Sequence, residues 1–203
     1  AEGPGVFGNT GLSVEEVREQ MGTVEAARET LADEGHDLEL LHGVETNITA
    51  QGELSTPDDL LAELDIVVAS PHAALGQDRE EATDRLVAAI EPPETDILGH
   101  PTGRLINQRP GLSPDFERLA AAAAAAGTAL ELNANPNRLD LPAEAVRIAV
   151  EAGATVAIDT DAHRPGALDE MRFGVHTARR GWAETDDVLT ARGVDGVRTF
   201  LED

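Results

Sequence analysis

Four apolar runs in this chain end in the same way, and that repetition limits the fold more than any other feature. Val156-Ala157-Ile158 turns abruptly polar through Asp159-Thr160-Asp161-Ala162-His163. Ile66-Val67-Val68-Ala69 runs into Ser70-Pro71-His72, and Ile97-Leu98 into Gly99-His100. Leu38-Glu39-Leu40-Leu41-His42-Gly43-Val44 ends at Glu45. Short apolar runs bounded by turn residues read as buried strands. Each delivers His, Asp or Glu at its carboxyl end, which suggests one metal site at one end of a parallel sheet.

The segments between the runs read as helices. Ser13 and Glu16 form a capping box that opens a helix from Val14 to Ala32, stopped near Gly35. A strand from Leu38 to Val44 follows, then a hairpin or extended excursion over Thr46 to Leu54. Thr56 as N-cap and Pro57 at N1 start a short helix. Strand Ile66 to Ala69 leads to helix Arg79 to Ile90, and strand Asp96 to Leu98 leads through a long loop to helix Pro114 to Ala126, closed by Gly127. Strand Thr128 to Leu132 precedes Asn133-Ala134-Asn135-Pro136 and helix Pro142 to Ala152. Helices near Leu168 to Arg180, Thr185 to Leu189 and Val194 to Leu201 complete the chain, and residues 1 to 12 read as a glycine-rich loop. Strands alternating with helices mean an α/β fold of parallel βαβ units. The five strands are too few to close an eight-stranded barrel, and 203 residues fit one domain.

Composition narrows the chemistry. With no Cys, thiolate ligands and disulfides are excluded; with no Lys, so is the lysine-bearing phosphate loop. No Gly-x-Ser-x-Gly elbow is present, so metal-assisted hydrolysis remains. Only four Phe and one Trp are available, so Leu, Val, Ile and Ala must fill the core. Acids outnumber bases 39 to 15, every base is Arg, and the net charge is −24. Such self-repulsion reads as adaptation to a saline cytoplasm, where molar salt shortens the Debye length to about 3 Å. No signal peptide or membrane-length apolar run is visible, so no membrane association and a cytoplasmic location are expected.

Glu45, His72, His100, Asp161 and His163 are the candidate metal ligands. Taken singly, His72 or His100 also reads as a hydrogen-bonded structural histidine. Together the five suit Mn²⁺, Zn²⁺ or Fe²⁺, in a cluster of more than one ion. Asp159 orients a ligand imidazole or simply hydrogen-bonds at its strand's end. Asn133 and Asn135 touch substrate or satisfy their own loop backbone. Arg104, Arg109, Arg138 and Arg164 lie on loops after the strands and favour an anionic, phosphate-bearing substrate, unless they merely offset neighbouring carboxylates. His36 reads as a surface residue, and His42 and His176 as packing residues.

Several strings carry a resemblance: Gly43-Val44-Glu45, Ala69-Ser70-Pro71-His72, Gly99-His100-Pro101-Thr102-Gly103-Arg104-Leu105, Glu131-Leu132-Asn133-Ala134-Asn135-Pro136 and Thr160-Asp161-Ala162-His163-Arg164-Pro165. In this order they resemble the PHP (polymerase and histidinol phosphatase) domain. Asn-Ala-Asn-Pro-x-Arg-Leu-Asp-Leu and Thr177-Ala178-Arg179-Arg180-Gly181-Trp182 narrow the resemblance to the PHP domain of prokaryotic family X DNA polymerases. It implies a distorted (β/α)₇ TIM-like barrel with up to three Mn²⁺ or Zn²⁺ ions. The implied ligands are Glu45, His72, His100, Asp161 and His163, with Arg104 and Arg164 on substrate phosphate. The implied activities are 3′-5′ exonuclease, abasic-site endonuclease and 3′-end processing of DNA in repair, beside a polymerase domain in cis. The family's opening Asp-x-His-x-His strand, a downstream acid and a Thr-Asp-His strand end are not in this sequence. The chain therefore reads as one lacking the first two strands, with an incomplete ligand set and little or no nuclease activity by itself. A small-molecule phosphatase and a non-catalytic scaffold are the rival readings.

Overall fold

A computed structural model describes residues 11–202; most of the glycine-rich opening lies outside them. Five parallel strands form one sheet: β1 (Gly43–Asn47), β2 (Ile66–Ser70), β3 (Ile97–Leu98), β4 (Ala129–Asn133) and β5 (Val156–Asp159). They lie in chain order, β1-β2-β3-β4-β5, each hydrogen-bonded to the next. The described helices are α1 (Val14–Asp33), α2 (Asp58–Leu61), α3 (Arg79–Ile90), α4 (Phe116–Ala126), α5 (Ala143–Glu151), α6 (Met171–Arg180) and α7 (Gly193–Glu202). Short 3-10 turns at Pro165–Glu170, Thr185–Asp187 and Leu189–Ala191 join the last three elements. The arrangement is α/β and consistent with a TIM-like fold. Among the described residues no helix is long and apolar enough to cross a membrane.

Local signals set most of the element ends. Ser13 Oγ accepts from Glu16 N–H while the Glu16 carboxylate accepts from Ser13 N–H, so the capping box opens α1 as its sequence predicts. The all-alanine end of α4 closes on Gly127 in the left-handed conformation (φ 80°).

The strand expected over Leu38 to Val44 is displaced: β1 begins only at Gly43, opposite Ile66. The backbone before it is served by side chains instead. Arg28 Nε donates to Leu40 O at 2.8 Å, and Asp65 Oδ2 accepts from His42 N–H at 2.6 Å. Leu38 is accordingly 64 % exposed. The start of α2 also differs: Pro57 itself is the N-cap, while the Thr56 hydroxyl donates to Thr46 Oγ1 at 2.8 Å. His42 is buried as expected, but His176 is exposed on α6, which overturns its reading as a packing residue.

The sheet has two unlike faces because side chains alternate along each strand. Ala69, Leu98, Leu130, Leu132, Val156 and Ile158 join the main core with Leu86, Leu119 and Val146 of the helices. The opposite face begins apolar, where Ile66, Val68, Ile97, Ala129 and Ala157 meet Leu189, Val197 and Phe200. The register Gly43↔Ile66, Val68↔Ile97, Ile97↔Ala129 and Glu131↔Ala157 puts Glu45, Asn47, Ser70, Glu131, Asn133 and Asp159 on that same face, further along the strands. One sheet face therefore runs from aliphatic to polar toward the strand carboxyl ends.

Asp96, just before β3, is a stability switch at the opposite end of the sheet. Burial pushes its carboxyl up to about 6, against the hydrogen bond it accepts from Val67 N–H at 2.6 Å. The folded state thus holds the proton more tightly than the unfolded chain. The stabilisation is complete below about pH 4 and is lost as pH rises through about 6. Asp96→Asn keeps an acceptor and carries no charge. After discount for its partial exposure, the variant should be about 1–2 kcal/mol more stable than the parent at pH 8 and equal to it at pH 4. Thermal melts across that range check this; an advantage that persists at pH 4 would contradict it.

Candidate metal centre

Glu45 reaches the site from β1, and His72 and His100 from the first residues after β2 and β3. Their ligand atoms lie within 4.8 Å of one another. His72 Nε2 is 3.2 Å and His100 Nε2 3.6 Å from Glu45 Oε1, and the two Nε2 atoms are 3.3 Å apart. Close strand packing makes this possible. Any Cβ on Gly99 would collide with Ser70 Oγ and Val68, so only glycine lets β3 approach β2 immediately before His100. His100 has φ 23° and Asp161 φ 48°, a left-handed backbone that costs about 1–3 kcal/mol per residue and collects at functional sites.

Both rings are fixed from behind. Asn47 Oδ1 accepts from His72 Nδ1, and the Glu131 carboxylate accepts from His100 N–H and from His100 Nδ1 at 3.2 Å. With each Nδ1 carrying the proton, each Nε2 presents a lone pair to the Glu45 oxygen. Three acceptors facing one another suit a cation between them, and two imidazoles plus a carboxylate form a donor set for a borderline divalent ion. The residues present therefore fit a metal.

The electrostatics agree. Burial holds His100 below the usual imidazole range, with the Arg138 charge adding to the effect. Burial opposes ionisation of Glu45, and its carboxyl is held down at about 2 by His72 and His100 in their protonated, donating form; with both Nε2 atoms bare, a bound cation would take the place of those protons. Behind the cluster lie further buried acids. Burial pushes Glu131 up to about 8, and burial with Glu131 alongside pushes Asp159 well above the carboxylate range. Asp140 is also buried and raised; it holds the turn after β3 by accepting from Thr102 N–H and, at 2.8 Å, from Thr102 Oγ1.

The other expected site residues are placed less uniformly. Asp161, two residues past β5, accepts from Asn133 Nδ2 at 3.4 Å and lies 3.6 Å from Arg138 Nε. It is on the same rim but outside the three-residue cluster. His163 is 84 % exposed and its ring turns back to Asp161 O at 2.8 Å. Asn133 is fully buried, and its Oδ1 accepts from Asn135 N–H, whose own Oδ1 accepts from Asn137 N–H. Arg138 is mostly buried, with Nη1 unpartnered. Arg104 donates Nε and Nη2 to the carbonyls of Arg138 and Leu139, so it fixes the loop that carries Arg138. Arg109 Nε donates to Gly103 O at 2.9 Å, while Arg164 is 71 % exposed beside Glu170.

Asn47, Glu131 and Asp140 are absent from the sequence-derived set. The signal for Asn47 and Glu131 was available in period two: Asn47 follows Glu45 on one face, and Glu131 is a carboxylate inside the apolar strand Ala-Leu-Glu-Leu-Asn. Asp140 had no such signal, since its loop joins the rim only in three dimensions.

No family model matches the chain. Over 192 residues it is 44 % identical to the DNA polymerase/3′-5′ exonuclease PolX of Bacillus subtilis, which covers 95 % of this chain and 33 % of that protein. It is 32 % identical over 176 residues to a probable phosphatase of a Thermoanaerobacter species, covering 82 % of this chain and 69 % of the relative. A probable phosphatase of Caldanaerobacter subterraneus subsp. tengcongensis is 35 % identical over 137 residues, 62 % of this chain and 51 % of the relative. The chain thus spans about a third of the PolX protein and about half or more of the phosphatases. Sequence similarity across two thirds of one relative, the motif strings and the rim cluster converge: the chain belongs to the PHP-like family that unites these probable phosphatases with a segment of PolX.

Proposed function

We propose that this chain is a metal-dependent phosphoesterase domain acting on DNA 3′ ends, as part of a family X polymerase in repair, with abasic-site cleavage as a further activity. The observation that carries the reading is the meeting of Glu45, His72 and His100 with both ring Nδ1 atoms already engaged. In this reading the five strands are part of a distorted (β/α)₇ barrel. Glu45, His72 and His100 would hold Mn²⁺ or Zn²⁺, and Asp161, with His163 once its ring leaves Asp161 O, would contribute to an incomplete set for further ions. A bound divalent ion supplies Lewis acidity toward the phosphoester and makes water a better nucleophile at neutral pH.

The chain's own residues do the rest. His100 is kept neutral by burial, so its Nε2 lone pair is available, and Glu45 is ionised throughout the physiological range. Arg138, mostly buried 3.6 Å from Asp161 with its Nη1 unpartnered, sets a guanidinium beside the centre, where its charge stabilises charge developing on the phosphate. Arg104 holds the Arg138 loop by two backbone carbonyls, so it acts through that loop. Asn133 keeps Asp161 in place, Asn135 shapes the same turn, and Arg109 and exposed Arg164 meet the substrate further out. A phosphatase of small phosphomonoesters is a second reading, favoured by the relatives called probable phosphatases.

Calorimetric titration with Mn²⁺ or Zn²⁺ should show uptake that His100→Ala and Glu45→Gln weaken by at least about tenfold, as expected when one ligand of a small set is lost. Any hydrolysis of a 3′-labelled oligonucleotide or of p-nitrophenyl phosphate should stop with chelator, and in Asp161→Ala as well. Hydrolysis that survives chelation, or a chain that takes up no ion, would overturn the reading. Turnover of the small ester alone would favour the second one.

Glu131 is expected to act through His100. Glu131→Gln retains an acceptor for Nδ1–H and should bind metal nearly as the parent does. Glu131→Leu should lose about 10- to 100-fold in metal affinity. Equal affinities for the Gln and Leu variants, both folded by circular dichroism, would contradict this role.

A further inference from the structure

The sequence string Thr177 to Trp182 has no part in the metal centre, yet it closes the one described α-helix without an acid. α6 reads Met-Arg-Phe-Gly-Val-His-Thr-Ala-Arg-Arg, while every other described α-helix carries Asp or Glu. In a chain with 39 acids and 15 arginines that is a marked local reversal. Arg172, His176, Arg179 and Arg180 fall on one exposed helix face, opposite the buried Gly174 and Ala178. Neighbouring arginines are neutralised, Arg147 by Glu151 and Arg164 by Glu170. Among the described residues, Arg172, Arg179 and Arg180 form no ion pair.

The helix macrodipole explains only part of this. Arg179 and Arg180 sit in the last turn, where cations are favourable, but Arg172 sits in the first, where a cation opposes the dipole. Trp182 adds a second oddity. It is 65 % exposed, with one ring face under the Arg147 guanidinium at 4.0 Å, and its backbone is left-handed at φ 63°. A bulky residue is strained in that conformation, and burial does not offset the strain here. The inner side of the helix packs on the core face of the sheet, level with the strand ends: a Cβ on Gly174 would come within 2.8 Å of the Ala134 Cβ, next to Asn133, and would collide with Ile158, next to Asp159.

We infer that the exposed face of α6, ending at Trp182, is a track for the backbone of single-stranded DNA whose 3′ end enters the metal centre. The inference rests on the phosphoesterase reading for what lies at the end of the track, but the surface has its own observations. Three unpaired guanidinium groups with no acid on their helix match a line of phosphates, and an exposed indole matches an unpaired base, the combination that single-strand binders use. Arg172 and Arg179 are about 10 Å apart along the helix, so the row is long enough to meet more than one backbone phosphate. The net charge of −24 does not forbid this, because at about 0.15 M salt screening removes charges beyond about 8 Å.

Trp182 is the sole tryptophan, so its fluorescence reports contact directly. Titration of the chain with unlabelled oligo(dT) should quench it, and anisotropy of fluorescein-labelled oligo(dT) should give the affinity of the variants. Arg179→Glu/Arg180→Glu, both exposed, should weaken binding by about tenfold or more at 0.1 M salt and flatten the slope of log K against log salt by about 1.4. Trp182→Ala should weaken binding with the salt slope unchanged. Parent-like affinity in the double variant, or binding without quenching, would overturn the track; so would equal preference for duplex. Metal uptake, measured on the same samples, separates the two claims. Lost DNA binding in the parent with metal uptake intact counts against the surface alone, and lost metal uptake with DNA binding intact counts against the phosphoesterase reading alone.

Discussion

Each imidazole at the rim has its Nδ1 side tied off, His72 by Asn47 and His100 by Glu131, and that constraint decides what the two Nε2 atoms can be. They are acceptors, and so is the Glu45 oxygen between them. Acceptors converge stably only around a cation or a proton. Much of the surrounding structure serves this convergence. Gly99 lets β3 approach β2, Asp140 pins the turn that follows His100 through Thr102, and parallel register aligns Glu45 with Val68 and so with the strand that delivers His72.

The sheet explains why chemistry is confined to one end. The face that carries Ile66, Ile97 and Ala129 low on the strands carries Glu45, Glu131, Asn133 and Asp159 higher up, with no break in register. Side chains of period two turn an aliphatic packing surface into a polar rim within about two residues. The cost falls on the buried acids: Glu131 is raised to about 8 because burial disfavours its charge. Such acids are retained where they orient a neighbour, and here the neighbour is His100.

Much of this was legible in the sequence because the signals are local. The capping box of α1, helix α3 from Arg79 to Ile90 and the glycine stop of α4 follow from residues within a turn of each other. β1 was misplaced because Leu38-Glu39-Leu40-Leu41 has strand-like hydrophobicity, while its backbone partners, Arg28 and Asp65, are distant in sequence and lie on other elements. His176 was misread because a lone histidine carries no sign of which helix face it occupies. At the site, strand-end position identified Glu45, His72 and His100, which do converge. It grouped His163 with them, whereas the ring bends back to Asp161 O. The arginines show the limit of composition: Arg104 and Arg138 lie on different loops that meet after folding, one holding backbone and the other with a buried, unpartnered Nη1, and nothing in their spacing separates those roles.

The central claim is that Glu45, His72 and His100 share one divalent ion. Anomalous diffraction from crystals grown with Zn²⁺ or Mn²⁺, recorded at the absorption edge of the metal, tests it most directly. The account predicts a peak about 2.0–2.2 Å from Nε2 of His72, Nε2 of His100 and an oxygen of Glu45. A peak bound elsewhere on the acidic surface, with those three side chains bonded only to one another, would contradict it.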